Sequence, residues 1–345
     1  MTHVVTDKGV RFEDLPRYLQ EEYRAMEAGE LLPSLTRDIP FKTIYDPDIH
    51  KERLTTLFQL IFREDATVVS SLKGENNKAS ILCKRTVLDV IARLSNEGVV
   101  DVEMQALLQE FIVHRMNIYA SDMVMLQYSV SKNEKKTEFS YMDIPHAYLV
   151  VLMKESPEVF KENEAFIHVK EERTDTGIQL PTLHTIVYIE LDKCMKYVQA
   201  HGYPEETKEL CEWLILIADT NSEEAKKVID RDGEKQKVIQ ELKIMSQDRE
   251  VLLSMFKEKY EEVNRNSELK EARLNGEKAG KIEGERIGKV VEKISLIRKN
   301  TKKNMESKAI ADFLEVELGY VEEVIKLLEE FPESTDEELA KYYSK

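Results

Sequence analysis

Cysteine is scarce: three residues in a chain of 345, Cys83, Cys194 and Cys211. None forms a CxxC pair or a zinc spacing, which argues against a disulfide framework and against a cysteine-built metal centre. Long apolar runs are missing too. No stretch approaches the roughly 18 residues that a transmembrane helix needs, so no membrane partner is expected. The opening residues MTHVVTDKGVRFEDLPRY carry no apolar signal core, and a cytoplasmic protein is expected. The seven histidines are scattered without an HExxH pair, which disfavours a histidine zinc site. No GxxxxGK[ST] loop is found, so P-loop chemistry is not expected. Positive charge is in deficit, with a formal net charge of −16. That balance opposes non-specific nucleic-acid binding, which relies on Lys and Arg neutralising phosphates. The deficit is uneven, however. Residues 265–305 hold twelve Lys or Arg against six Glu, so a local basic surface is compatible with the average.

What is present reads as a mixed chain. Residues 1–36 have the character of a loosely packed lead-in. Leu54, Leu57, Phe58 and Ile61 fall at helical spacing in HKERLTTLFQLIF (50–62). ILCKRTVLDVIARL, the turn SNEG and VVDVEMQ predict a β-hairpin over 81–105. A long helix without Pro or Gly is expected to follow from 106 to 130, with a break at SKNEKKTE (131–138). HAYLVVLM (146–153), FIHVKEE (166–172) and HTIVYIEL (184–191) read as strands. Strands mixed with helices in this order suggest an α/β domain with a partly parallel sheet. From about 192 onward the pattern is helical. Gly276, Gly280, Gly284 and Gly288 recur every four residues in a charged stretch, which suits either self-association or a frayed tail. The last helices, around IADFLEVELGYVEEVIKLLEEF, are acidic and suit packing better than DNA contact.

The stretch VVDVEMQ raises a chemical question. Side chains alternate across a strand, so Asp101, Glu103 and Gln105 share one face, opposite Val100, Val102 and Met104. Across the hairpin, Asp89 can approach Glu103. Two close carboxylates repel, and burial adds a desolvation penalty. A divalent cation resolves both, and Mg²⁺ often takes only one or two carboxylates. Gln105 could orient water or a phosphate oxygen without adding charge. Such a site suits phosphodiester hydrolysis. Spacing alone leaves the bland alternative open, a solvated acidic face on a surface strand.

Several stretches, in order, resemble the PD-(D/E)XK nuclease family transposases, also called recombination-promoting nucleases. RDIPFKTIY (37–45) is similar to an early D-x-x-F-K segment. VLDVIARLSNEGVVDVEMQ (87–105) is similar to the catalytic hairpin, with Gln in place of the superfamily's usual Lys. FIVHRMNIYAS (111–121) resembles the following helix, with Arg115 and Tyr119 at expected places. HAYLVVLM, IVYIELDK (186–193) and LNGEKAGKIEGERIGK resemble later strands and a Gly-punctuated tail. The likeness spans roughly residues 35–300. It implies a restriction-endonuclease-like mixed-sheet α/β core flanked by helices, with an all-helical C-terminal extension. It implies that Asp89 and Glu103 bind Mg²⁺, or Mn²⁺ in its place, and that Gln105 completes the site. Asp38, Lys42 and Arg115 are accessory candidates. DNA is the implied partner and endonucleolytic cutting, promoting recombination or transposition, the implied activity. Departures are the LSNEG turn, an acidic Asp101 beside the site, and a longer stretch at 63–80. The expected organisation is a lead-in (1–35), a nuclease-like domain (36–200), a helical extension (201–265), a Gly-striped helix or linker (266–300) and a small helical segment (301–345). A homo-oligomer through the C-terminal helices is compatible with it. The competing reading is a non-catalytic scaffold or oligomerising protein with a degenerate nuclease core.

Overall fold

The computed structural model describes residues 11–72, 89–106 and 111–343. The predicted hairpin forms part of a six-stranded mixed sheet. Strands β1 (Val68–Ser71), β2 (Val90–Leu94), β3 (Val99–Gln105), β4 (Ala147–Met153), β5 (Ile167–Val169) and β6 (His184–Glu190) are arranged in the order β1-β2-β3-β4-β6-β5. The β1, β2 and β3 pairings are antiparallel, β3, β4 and β6 run parallel, and β5 closes the far edge antiparallel to β6. In the hairpin turn Glu97 adopts a left-handed backbone with φ 64°, and Gly98 N–H donates to Asn96 Oδ1 at 3.0 Å. A Cβ on Gly98 would lie 2.9 Å from the His146 carbonyl oxygen, so only glycine lets the turn pass so close to the start of β4.

All seven residues of β4, AYLVVLM, are buried, as a central strand covered on both faces requires. Helix α4 (Ile112–Lys135) covers one face. Its Ile112, Met116, Ala120 and Met123 recur at helical spacing and pack on Val99, Leu149, Val151, Ile186 and Tyr188. Burying Ile112, Met116 and Met123 contributes about 1.5–3 kcal/mol each. Around Tyr148, Phe58 and Phe62 of α3 (Lys51–Phe62) pack edge-on at 5.0 and 4.8 Å between ring centroids.

Several local expectations change. Residues 1–36 are not uniformly loose. Helix α1 (Arg17–Glu27) buries Leu19, Tyr23 and Met26, and Tyr23 meets Phe256 ring-to-ring at 5.4 Å. The mixed stretch after α3 contributes β1, which the sequence pattern did not suggest. The predicted break at 131–138 comes late. Helix α4 runs to Lys135, because Ser131 is buried with its hydroxyl donating to the Asp143 carbonyl and Lys135 pairs with Asp143 at 2.9 Å. The polar run there extends the helix by about one and a half turns, with Ser131 on the buried side and residues 132–135 on the solvated side. The helix begins at Ile112 rather than 106. Residues 81–88 of the expected hairpin, including Cys83, and residues 107–110 lie outside the described residues.

The chain divides into two compact units, Met1–Lys259 and Tyr260–Lys345. The first contains the sheet and also helices α5 (Leu191–His201), α6 (Lys208–Ala218), α7 (Glu223–Ile229) and α8 (Gly233–Gln247). Helix α9 (Arg249–Thr301) contributes Leu252, Met255 and Phe256 to the core of the first unit. In the second, its Ile294 and Ile297 join Ile310 and Ala311 of α10 (Ser307–Leu314), Val321 and Val324 of α11 (Leu318–Glu330) and Leu339 and Ala340 of α12 (Asp336–Tyr343). Arg298 ties α9 to the start of α12 through Asp336 at 2.8 Å and the Ser334 carbonyl at 2.7 Å. A Cβ added at Gly276, Gly280, Gly284 or Gly288 would meet nothing within 4 Å, so within its unit the glycine row lies in open space. No helix among the described residues is long and apolar enough to cross a membrane.

Candidate active site

Strand β3 has two chemically different faces, and both are buried. Val100, Val102 and Met104 point one way; Asp101, Glu103 and Gln105 point the other, with exposures of 0%, 1% and 6%. The acidic face is therefore no solvated surface. Its position follows from the hairpin register: Val90 pairs with Val102 and Ile91 with Asp101, which sets Asp89 opposite Glu103. The two acids interlock through backbone amides. Asp89 N–H donates to Glu103 Oε1 and Met104 N–H donates to Asp89 Oδ2, each at 3.0 Å.

Two cations and an amide reach this pair from three elements. Lys42, on α2 (Asp38–Ile44), holds Asp89 Oδ1 at 3.1 Å and Asp38 Oδ1 at 2.7 Å. Arg115, in the first turn of α4, reaches Glu103 Oε2 at 3.3 Å and stacks over the Tyr119 ring at 5.1 Å. Gln105 donates its amide to the same Glu103 oxygen at 3.3 Å. Thus all six residues singled out in the sequence, Asp38, Lys42, Asp89, Glu103, Gln105 and Arg115, gather in one place. Phe41 is fully buried in the core, and Tyr119 packs half-buried at the edge of the cluster under α4.

The electrostatics are those of a site short of positive charge. Burial, reinforced by the Asp89 charge and opposed by Arg115, pushes the Glu103 carboxyl up to about 7. Burial also raises Asp89, against the pull of Lys42. Asp101 is raised well above the usual carboxylate range by burial and by the charges of Glu103 and Asp89, and neither of its oxygens has a hydrogen-bond partner of good geometry. For Lys42, burial acts downward, but the charges of Asp89 and Asp38 outweigh it and hold the ammonium at about 12.

Two features were not anticipated as part of the buried chemistry. Asp101 looked like a departure beside the site and is instead the most enclosed acid of the row. The second is Glu190, fully buried where β6 ends. Cross-strand register aligns it with Met153 and Gln105. His168 Nε2 lies 2.8 Å and Lys193 Nζ 3.0 Å from its Oε1. Lys193 also donates to the carbonyls of Phe160 and Asn163, both at 2.6 Å. Its signal in the sequence is an acid closing an apolar strand, with a lysine three residues on.

The donor chemistry suits a hard divalent cation. Asp89 and Glu103 supply carboxylate oxygens, and a cation there would offset the burial and the Asp89 charge that raise Glu103. Among the described residues no group of three or more His, Cys, Asp or Glu side chains is arranged around one metal position. Water and phosphate oxygens would therefore have to complete the shell, as is usual for Mg²⁺. Against known proteins, a family model for the PD-(D/E)XK nuclease family transposases matches residues 35–272. Neither the curated proteins nor the solved structures contain a match.

Proposed function

From the premise that this chain belongs to the PD-(D/E)XK nuclease family transposases, we propose that it is a metal-dependent DNA endonuclease. Cutting of this kind would promote recombination or transposition. The observation that supports the reading is the interlocked pair at the end of a hairpin, Glu103 buried and Asp89 largely enclosed, held by the cationic side chains of Lys42 and Arg115. A surface strand with a merely solvated acidic face would not bury these groups.

Asp89 and Glu103 would hold Mg²⁺, or Mn²⁺ in its place. When bound, that cation supplies Lewis-acid chemistry, easing deprotonation of water and offsetting charge on the phosphate. The protein's own groups do the rest. Arg115 holds Glu103 Oε2, which fixes the carboxylate's orientation. Gln105 is anchored to the same oxygen through its amide nitrogen, so its carbonyl can accept a hydrogen bond from an attacking water. The Met104 amide keeps the inner Asp89 oxygen in line.

A supercoiled-plasmid nicking assay with Mg²⁺ or Mn²⁺ tests the proposal. The parent protein is expected to cut, and Asp89→Ala to abolish cutting while its circular dichroism and melting stay native-like. Undiminished cutting by Asp89→Ala rules the site out. A parent protein that neither cuts nor binds Mn²⁺ overturns the nuclease reading in favour of a scaffold with a degenerate core.

A further inference from the structure

The cationic group on Asp89 has more to offer than a local ion pair. Helix α2 is only seven residues long, but Pro40, Phe41 and Ile44 are buried and anchor it to the core. Asp38 and Lys42 stand one turn apart on its other side, joined at 2.7 Å. The lysine is thereby aimed at Asp89 by a carboxylate of its own helix. An ammonium has three hydrogens, and these two carboxylates account for two. Lys42 takes the outer oxygen of Asp89, while the inner one belongs to the Met104 amide. Its side chain keeps 30% of its surface open to solvent, against 1% for Glu103. Lys42 therefore stands on the accessible side of the acid pair, where a substrate would arrive.

Charge balance points the same way. The carboxylates that take part in ion pairs here are Asp38, Asp89 and Glu103; the cations are Lys42 and Arg115. Three negative and two positive charges leave −1. One divalent cation brings the site to +1, which a phosphodiester monoanion neutralises. Without Lys42 the same assembly would carry −1 with the substrate in place. Uncompensated charge in a partly desolvated site is strongly unfavourable.

We infer that Lys42 is a catalytic residue that contacts a non-bridging oxygen of the scissile phosphodiester, with Asp38 as its positioning residue. This rests on the nuclease reading above. The third ammonium hydrogen goes to the phosphate, and Asp38 keeps the side chain from folding wholly onto Asp89.

Steady-state cleavage of supercoiled plasmid in Mg²⁺, with kcat and KM separated, tests this beside Mn²⁺ titration calorimetry and thermal melting. Lys42→Met is expected to slow cleavage on the order of 10²–10³-fold, the usual loss when one preorganised donor to developing charge is removed. Mn²⁺ should bind Lys42→Met at least as tightly as the parent, because Asp89 no longer has a competing ammonium. Lys42→Arg should recover at least tenfold of the lost rate. Asp38→Asn, which keeps the lysine, should lose roughly tenfold in kcat with little change in Mn²⁺ affinity; it also serves if Lys42→Met does not fold. Cleavage by Lys42→Met within threefold of the parent overturns the inference and leaves the nuclease reading standing. So does joint loss of Mn²⁺ binding and cleavage, which would make Lys42 a prop for Asp89. If Asp38→Asn has to stand alone, an unchanged kcat overturns it. A parent protein that does not cut overturns both.

Discussion

Replacing Glu103 with Gln should stabilise the protein while destroying its site, and the gain should depend on pH. The folded-state value of about 7 lies above the reference of 4.5. Between those values the folded chain binds more protons than the unfolded one, so stability falls as pH rises through this window. Below about 4.5 the penalty is absent; above about 7 it is complete. A rise from 4.5 to about 7, at about 1.36 kcal/mol for each tenfold change in proton affinity, makes the full penalty about 3 kcal/mol. Arg115 is already included in that balance, since its attraction is one of the opposing causes. Glu103→Gln removes the charge and keeps the shape, but its single amide oxygen can accept from the Asp89 N–H or from Arg115 and Gln105, not from both sides as the carboxylate does. Losing one such hydrogen bond costs about 1 kcal/mol, which leaves a net gain of about 2 kcal/mol. For a unit of this size that corresponds to a rise of roughly 4 °C or more in Tm. Calorimetry in EDTA at pH 8 should show it, and at pH 5 the difference should vanish or reverse. Saturating Mg²⁺ should raise the parent's Tm but not the variant's, because only the parent binds the ion. A variant that melts below the parent at pH 8 in EDTA, or by the same margin at both pH values, would refute the reasoning.

Two further outcomes follow from other parts of the fold. Lys193→Met should destabilise the sheet domain by about 3 kcal/mol, because Glu190 is left buried with a poorer counter-charge, and Glu190→Gln in the same chain should restore much of the loss. Urea unfolding measures both, and a single variant indistinguishable from the parent would show that His168 alone suffices. Gly98→Ala should cost about 1–3 kcal/mol, since its Cβ meets the His146 carbonyl, which accepts the Val99 amide at the head of β3. A melting point unchanged within 1 °C would mean that this turn yields more easily than its packing suggests.

Much of the sheet was legible because its strands carry strong local patterns. AYLVVLM and the IVYI of HTIVYIEL are unbroken apolar runs, and SNEG between apolar segments marks a turn. Helix α1 and strand β1 were not legible. The polar residues of α1 outnumber its buried face, and four residues of β1 carry too little periodicity to stand out. The end of α4 was misread because a polar stretch signals a loop or a solvated helical side equally well; only the contacts of Ser131 and Lys135 decide it. The acid pair could be read from alternation and turn length. The burial of Asp101 could not, because it depends on α4 lying over that face. The distances that bind Lys42 to Asp89 join segments 47 residues apart, beyond any local periodicity.

The two-sided composition of β3 has a bearing on folding itself. Were this segment to zip onto its neighbours displaced by a single residue, three polar groups would be driven among the hydrocarbon side chains around Tyr148, and three hydrocarbon side chains would take their place beneath Arg115. Each misplaced carboxylate would carry several kcal/mol of desolvation. The groups proposed to serve hydrolysis thus also forbid the off-by-one hairpin. Neutral replacements that abolish cutting would loosen that prohibition as well, and inactive variants should be screened for misaligned strands as well as for lost activity.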